Sequence, residues 1–147
     1  MSARRKARKR AVDVLYSADV KSIELVDAVS EERARALLDP LRASSWEYAE
    51  ALLDGVVAHA DEIDRVISET STSWPLERMP SVDRAVVRLA AWELMFNPDV
   101  PAAVVIAEAV ALVNELSTEA SGGFVHGLLA ALAEKQGVTG IPDPDMR

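Results

Sequence analysis

Six cations and a phenol ring fall within the first sixteen residues, as Arg4, Arg5, Lys6, Arg8, Lys9, Arg10 and Tyr16. The phosphates of a nucleic acid need cations, and unpaired bases need a flat apolar surface. Stacking a base on an aromatic ring is worth about 1–3 kcal/mol. At about 100° per residue in a helix, Arg5, Lys9 and Tyr16 share one side, with Val12 beside them. Lys6, Arg8 and Arg10 fan out on the flanks, and Ala7, Ala11, Val14, Leu15 and Ala18 face a core. The spacing predicts a basic stripe ending in an exposed ring, which suits single-stranded RNA better than duplex. The same residues also read as a solvated basic terminus with Tyr16 packed under the next loop, since short basic runs are common.

Charge is distributed unevenly along the 147 residues. Net charge is −8, from 16 Lys and Arg against 24 Asp and Glu, yet none of the acids lies in the first ten residues. Charges are screened beyond about 8 Å at physiological salt, whereas a domain of this length has a radius of gyration of roughly 15 Å. The acidic total therefore restricts where a polyanion docks without excluding it.

Other chemistries find little support. The chain has no cysteine, which excludes disulfides, Cys-ligated zinc, iron–sulfur clusters and a thiol nucleophile. His59 and His126 are the only histidines and fall on different predicted helices, so no metal site is expected. No nucleophile elbow, P-loop or dinucleotide loop occurs, and neither an enzyme nor a cofactor is expected. No run of about 18 apolar residues is present. Asp13 and Asp19 interrupt the stretch after the basic start, which argues against a signal peptide. A cytoplasmic location is the expectation.

The elements that must position the stripe read as all-α, since Ala, Leu, Glu and Arg dominate and strand-like alternation is missing. The pattern predicts a helix from about Ala3 to Val20, then one or two helices over 22–39, ended by Pro40. Residues 21–45 carry no recognisable motif. Ser44-Ser45-Trp46-Glu47 has capping-box spacing and should open a helix to about Ala60. Asp61 can cap a shorter helix to Thr70, and a loop runs from Ser71 to Pro80. Ser81 should cap a helix that stops before Asn97-Pro98. Another starts at Asp99-Val100-Pro101 and ends near Ser117. Ser121 should cap the last, from Gly122 to Gln136, with Gly137 stopping it. Residues 1–136 thus read as one helical domain and 137–147 as a flexible tail.

The helix over Val82–Phe96 is apolar on most sides and should lie centrally. Glu93 shares its Val82/Val86/Leu89 face and must find hydrogen-bond partners, as a paired structural carboxylate. Phe124 comes after Gly122 and Gly123 near a predicted helix start. Bare backbone there gives a phosphate or base close access, while packing with Val125, Leu128 and Leu129 is the competing reading.

Four blocks, ARRKARKRAVDVLYSADV, VDRAVVRLAAWEL, DVPAAVVIAEAVALVNELS and SGGFVHGLLA, resemble the NusB family of bacterial transcription antitermination factors, in that family's order and spacing. They cover about half of the chain. The resemblance implies a bundle of seven helices in two subdomains. It also implies binding of boxA, a short single-stranded element of ribosomal RNA leaders, together with the ribosomal protein NusE, so that RNA polymerase passes terminators. RNA contacts carry over to Arg4, Arg5, Lys6, Arg8, Lys9, Arg10, Tyr16 and Phe124, and the NusE-facing acid to Asp83. The family's Phe-Val-Asn-Gly has His126 in place of Asn, and Gly123 replaces a bulky polar residue before Phe124. A neutral histidine still donates one hydrogen bond and accepts another, with different geometry. Some relatives self-associate through the RNA-facing surface, so a monomer and a homodimer both stay open.

A helical protein–protein adaptor without direct RNA binding is the alternative, with apolar surface around Trp74 and Met95 serving the partner. NusB-like domains also occur fused to RNA cytosine methyltransferases. Without the catalytic domain or a cysteine, that activity is excluded for this chain alone.

Overall fold

Ser2 caps the first helix, its hydroxyl accepting from the backbone N–H of Arg5 at 3.1 Å. From that start, the computed structural model describes residues 2–137. The helices are α1 (Ala3–Lys21), α2 (Leu25–Leu37), α3 (Ala43–Ala58), α4 (Ala60–Thr70), α5 (Ser81–Phe96), α6 (Ala102–Leu116) and α7 (Glu119–Lys135). Short 3-10 turns lie at Pro40–Arg42 and Leu76–Arg78, and no strand occurs among the described residues. No helix in that range is long and apolar enough to cross a membrane. The expected tail lies outside the described residues, Gly137 excepted.

The packing forms two groups, α1–α3 and α4–α7. Helix α5 joins them, packing on α1 and α3 on one side and on α4, α6 and α7 on the other. Its burial on nearly all sides, from Asp83 and Ala85 through Leu94, matches its apolar circumference. Gly55 of α3 sits where a Cβ would run into the Trp92 indole of α5, so a residue without a side chain lets the two helices approach.

Several boundaries differ from the sequence expectation. Pro40 starts a 3-10 turn that runs into α3, so the helix begins at Ala43 and Ser45 is buried. Proline suits such a start because its missing N–H would have no intrahelical partner. Helix α7 begins at Glu119, before Ser121, whose hydroxyl serves a buried partner on α5 instead of capping. Ser81 and Asp61 lie inside their helices, and neither α5 nor α4 has a side-chain cap.

The apolar surface is also redistributed. Trp74 and Met95, expected to serve a partner, pack partly buried against the core. Leu37, Leu38 and Leu41 are instead 82%, 86% and 94% exposed, at the end of α2 and in the turn leading to α3.

Candidate nucleic-acid interface

Helix α1 presents its expected core face inward, with Ala7, Ala11, Val14, Leu15 and Ala18 all buried. Tyr16 lies on the outer side and is 41% exposed, so the ring is available to a base. Val12, however, is buried beside Val86, Leu89, Val105 and Leu112. The buried arc of α1 is thus wider than one stripe, because α2, α3 and α5 all pack on this helix.

That wider arc captures two of the six cations. Arg8, expected on a flank, is 5% exposed and donates to Glu93 through Nε and Nη2, at 2.8 and 2.9 Å. Arg10 is 7% exposed; its Nε donates to Glu32 at 2.9 Å and its Nη1 to Ser45 Oγ at 3.3 Å. The Arg10 guanidinium also lies over the Trp46 ring, 5.1 Å from its centroid. A planar fork with five donors suits such enclosed bidentate sites. Burial pulls the Arg8 guanidinium down, but the hydrogen bonds and charge of Glu93 outweigh it and hold the group above its ordinary value.

Glu93 is 2% exposed and accepts a third hydrogen bond, from Tyr48 at 2.9 Å. The Tyr48 hydroxyl in turn accepts from Asn97 Nδ2 at 3.0 Å. The buried carboxylate therefore has the partners that its apolar surroundings require. Burial, then the charge and hydrogen bond of Glu93, push the Tyr48 phenol up to about 12.

The other four cations remain at the surface. Arg4 is exposed and sits over the Tyr48 ring, 4.6 Å from its centroid, and Lys6 is exposed. Arg5 grips Glu108 of α6 with two hydrogen bonds, from Nε at 2.8 Å and Nη2 at 2.9 Å. Lys9 reaches Glu115, also on α6, at 2.6 Å. The Arg5 hydrogen bond holds the Glu108 carboxyl below its usual range, against the upward pull of burial. The hydrogen bond and charge of Glu115 hold the Lys9 ammonium above its ordinary value. Glu108 and Glu115 escaped the sequence reading, although their seven-residue spacing on a predicted helix places them on one face.

The start of α7 supplies the second group. Phe124 is half-buried, its ring edge-on to Trp74 with centroids 4.8 Å apart. Gly122 is buried, with Asn114 where its Cβ would be, while Gly123 faces open space and His126 is exposed. Bare, accessible backbone thus lies next to the ring at Gly123. Asp83, expected to face a protein partner, is fully buried in the first turn of α5. Its Oδ2 accepts from Ser121 Oγ at 2.7 Å, and its Oδ1 has no hydrogen-bond partner among the described residues. In this arrangement Asp83 offers no surface to a partner. His59 stacks on Phe96, and no cluster of three metal-ligating residues occurs among the described residues.

Comparison with known proteins agrees with this architecture. The NusB family model matches residues 5–134. A transcription antitermination protein NusB from Clavibacter michiganensis subsp. michiganensis is 50% identical over 136 residues, covering 92% of this chain and 99% of that protein. Among solved structures, Thermotoga maritima NusB superposes with a TM-score of 0.77 at 32% identity, covering 90% of this chain and 91% of the other. NusB solved with NusE and double-stranded RNA superposes with a TM-score of 0.78 at 30% identity, covering 92% and 98%. With this family match and the shared helical fold, the chain belongs to the NusB family of transcription antitermination proteins, which is not a family of enzymes.

Proposed function

We propose that this protein binds single-stranded, boxA-type RNA of ribosomal RNA leaders together with NusE, and so helps RNA polymerase read through terminators in the bacterial cytoplasm. The observation that carries the reading is the exposed Tyr16 ring on the side of α1 that also bears Arg5 and Lys9. Cations there would hold phosphates and the ring would stack on a base. Arg4 and Lys6 extend the cationic end, and Phe124 and His126 supply a second contact on α7. Arg8 and Arg10, enclosed by Glu93 and Glu32, support the helix that carries the stripe.

A titration of short single-stranded RNA at several salt concentrations, with and without NusE, tests this. Binding through Arg4, Arg5, Lys6 and Lys9 gives a log–log salt slope near −3, from about −0.7 per phosphate neutralised. A slope near zero overturns the reading. A duplex of the same sequence, run in parallel, should bind more weakly, because its bases offer no free face to Tyr16.

The exposed Leu37, Leu38 and Leu41 favour a second reading, an adaptor that binds protein without touching RNA. Capture of NusE with RNA binding undetectable would select it. Self-association would show in sedimentation.

A further inference from the structure

The six cations of α1 fall into two classes once their partners are named. Arg8 and Arg10 are locked: their side chains are 6% and 7% exposed, against carboxylates 2% and 12% exposed. Arg5 and Lys9 are different. Their side chains are 43% and 36% exposed, against carboxylates 19% and 48% exposed, and each holds a glutamate of α6, a helix that belongs to the other packing group. A carboxylate that accepts two parallel N–H donors from an arginine has the geometry with which a phosphate would accept the same pair. Glu108 does this to Arg5, and Glu115 meets Lys9 as a single charge.

Resting on the RNA-binding reading above, we propose that Glu108 and Glu115 are built-in stand-ins for phosphate, which an incoming RNA strand displaces from Arg5 and Lys9. The strand's backbone then lies along the seam between α1 and α6, with Tyr16 on the same side of α1. The exchange is feasible because both cations are open to solvent, and pairs with an open cation are weaker and re-form more readily than the enclosed pairs of Arg8 and Arg10. It is also selective. Each glutamate occupies one cation, whereas a polyanion presents several phosphates at once, so a strand competes where a single small anion does not. The two glutamates set a threshold against weak anionic ligands and hold the cations in extended, binding-ready positions in the free protein.

The test uses the full chain and a labelled short single-stranded RNA. Glu108→Gln and Glu115→Gln keep side-chain size and remove the charge. Each should tighten RNA binding about threefold to fivefold, and the double variant about tenfold, on the scale of exposed ion pairs. The gain should shrink as added salt screens the pairs. Glu108→Gln is then repeated in an Arg5→Gln background, where the gain should vanish because the cation being released is gone. Unchanged or weaker binding by the double variant, beside normal wild-type binding, overturns the inference alone. A gain that persists undiminished in Arg5→Gln also overturns it, since Glu108 would then act only as general negative charge. Binding by neither the wild type nor the variants overturns the RNA-binding reading and this inference together.

Discussion

The Arg8 guanidinium and the Glu93 carboxylate meet through two parallel hydrogen bonds in the interior, joining α1 to the central helix α5. Removing either partner leaves the other charge buried and uncompensated. Arg8→Ala and Glu93→Ala should therefore each cost about 3–5 kcal/mol of stability. Lys9→Ala breaks an exposed pair and should stay within about 1 kcal/mol, and Arg5→Ala, whose glutamate is 19% exposed, should fall between that and the enclosed pair. Urea midpoints for the four variants check this ordering. Equal losses across the four would show that the enclosed pair has no special weight.

Tyr48 makes the same network sensitive to alkaline pH. Burial and then Glu93 raise its phenol from 10.0 to about 12 in the folded chain. A raised folded value means that the stabilisation is fully present below pH 10. It is lost as pH rises from 10 toward 12, where the unfolded chain gives up its proton first. Melting temperature should fall over that window, and Tyr48→Phe should flatten the part of the fall that belongs to this group. A Tyr48→Phe profile parallel to wild type between pH 9 and 11.5 would contradict the assignment.

Helical periodicity is a local property, and it makes the core face of α1 and the outward Tyr16 legible from residue numbers alone. The width of the buried arc is not local. It depends on how many elements pack on α1, and nothing in residues 3–21 states that Glu93 and Glu32 lie opposite Arg8 and Arg10. Glu93 was readable from its own side, because a carboxylate amid Val86 and Leu89 requires partners. Ser121 misled for a related reason. A serine ahead of a helix-like run signals a cap, but the signal is silent about a buried carboxylate 38 positions earlier in the chain.

Tyr16 separates binding from folding. With the ring 41% exposed, Tyr16→Ala should move the melting temperature little. If the ring stacks on a base, the same change should weaken single-stranded RNA binding by about 1–3 kcal/mol. A substantial drop in melting temperature with binding spared would assign the ring to structure.

Gly55 and Gly123 should respond oppositely to alanine. Both lie within helices, where Gly→Ala gains roughly 1 kcal/mol of propensity. At Gly123 a methyl group meets open space, so stability should rise. At Gly55 it would run into the Trp92 indole, a rigid ring that has no free end to swing aside. Overpacking of that kind costs about 1–3 kcal/mol, and Gly55→Ala should be net destabilising. Paired thermal melts decide this, and a stabilised Gly55→Ala variant would show that α3 and α5 can separate cheaply.

Ser121 and Asp83 join the first turn of α7 to that of α5, and here a charge is enclosed with a single donor among the described residues. Ser121→Ala would leave both oxygens of this fully buried carboxylate without such a partner, costing about 1–3 kcal/mol or more. Asp83→Asn keeps an oxygen for the Ser121 hydroxyl and removes the charge, so it should cost less than Ser121→Ala. In the Asp83→Asn background the serine no longer answers a charge, and removing it should cost less than it does in the wild type. Additive losses would show that the two side chains act independently. The same burial makes Asp83→Lys a test of the fold before it is a test of any partner. An ammonium placed there would disrupt the α5–α7 contact, so lost NusE binding by that variant is informative only if its melting curve matches wild type.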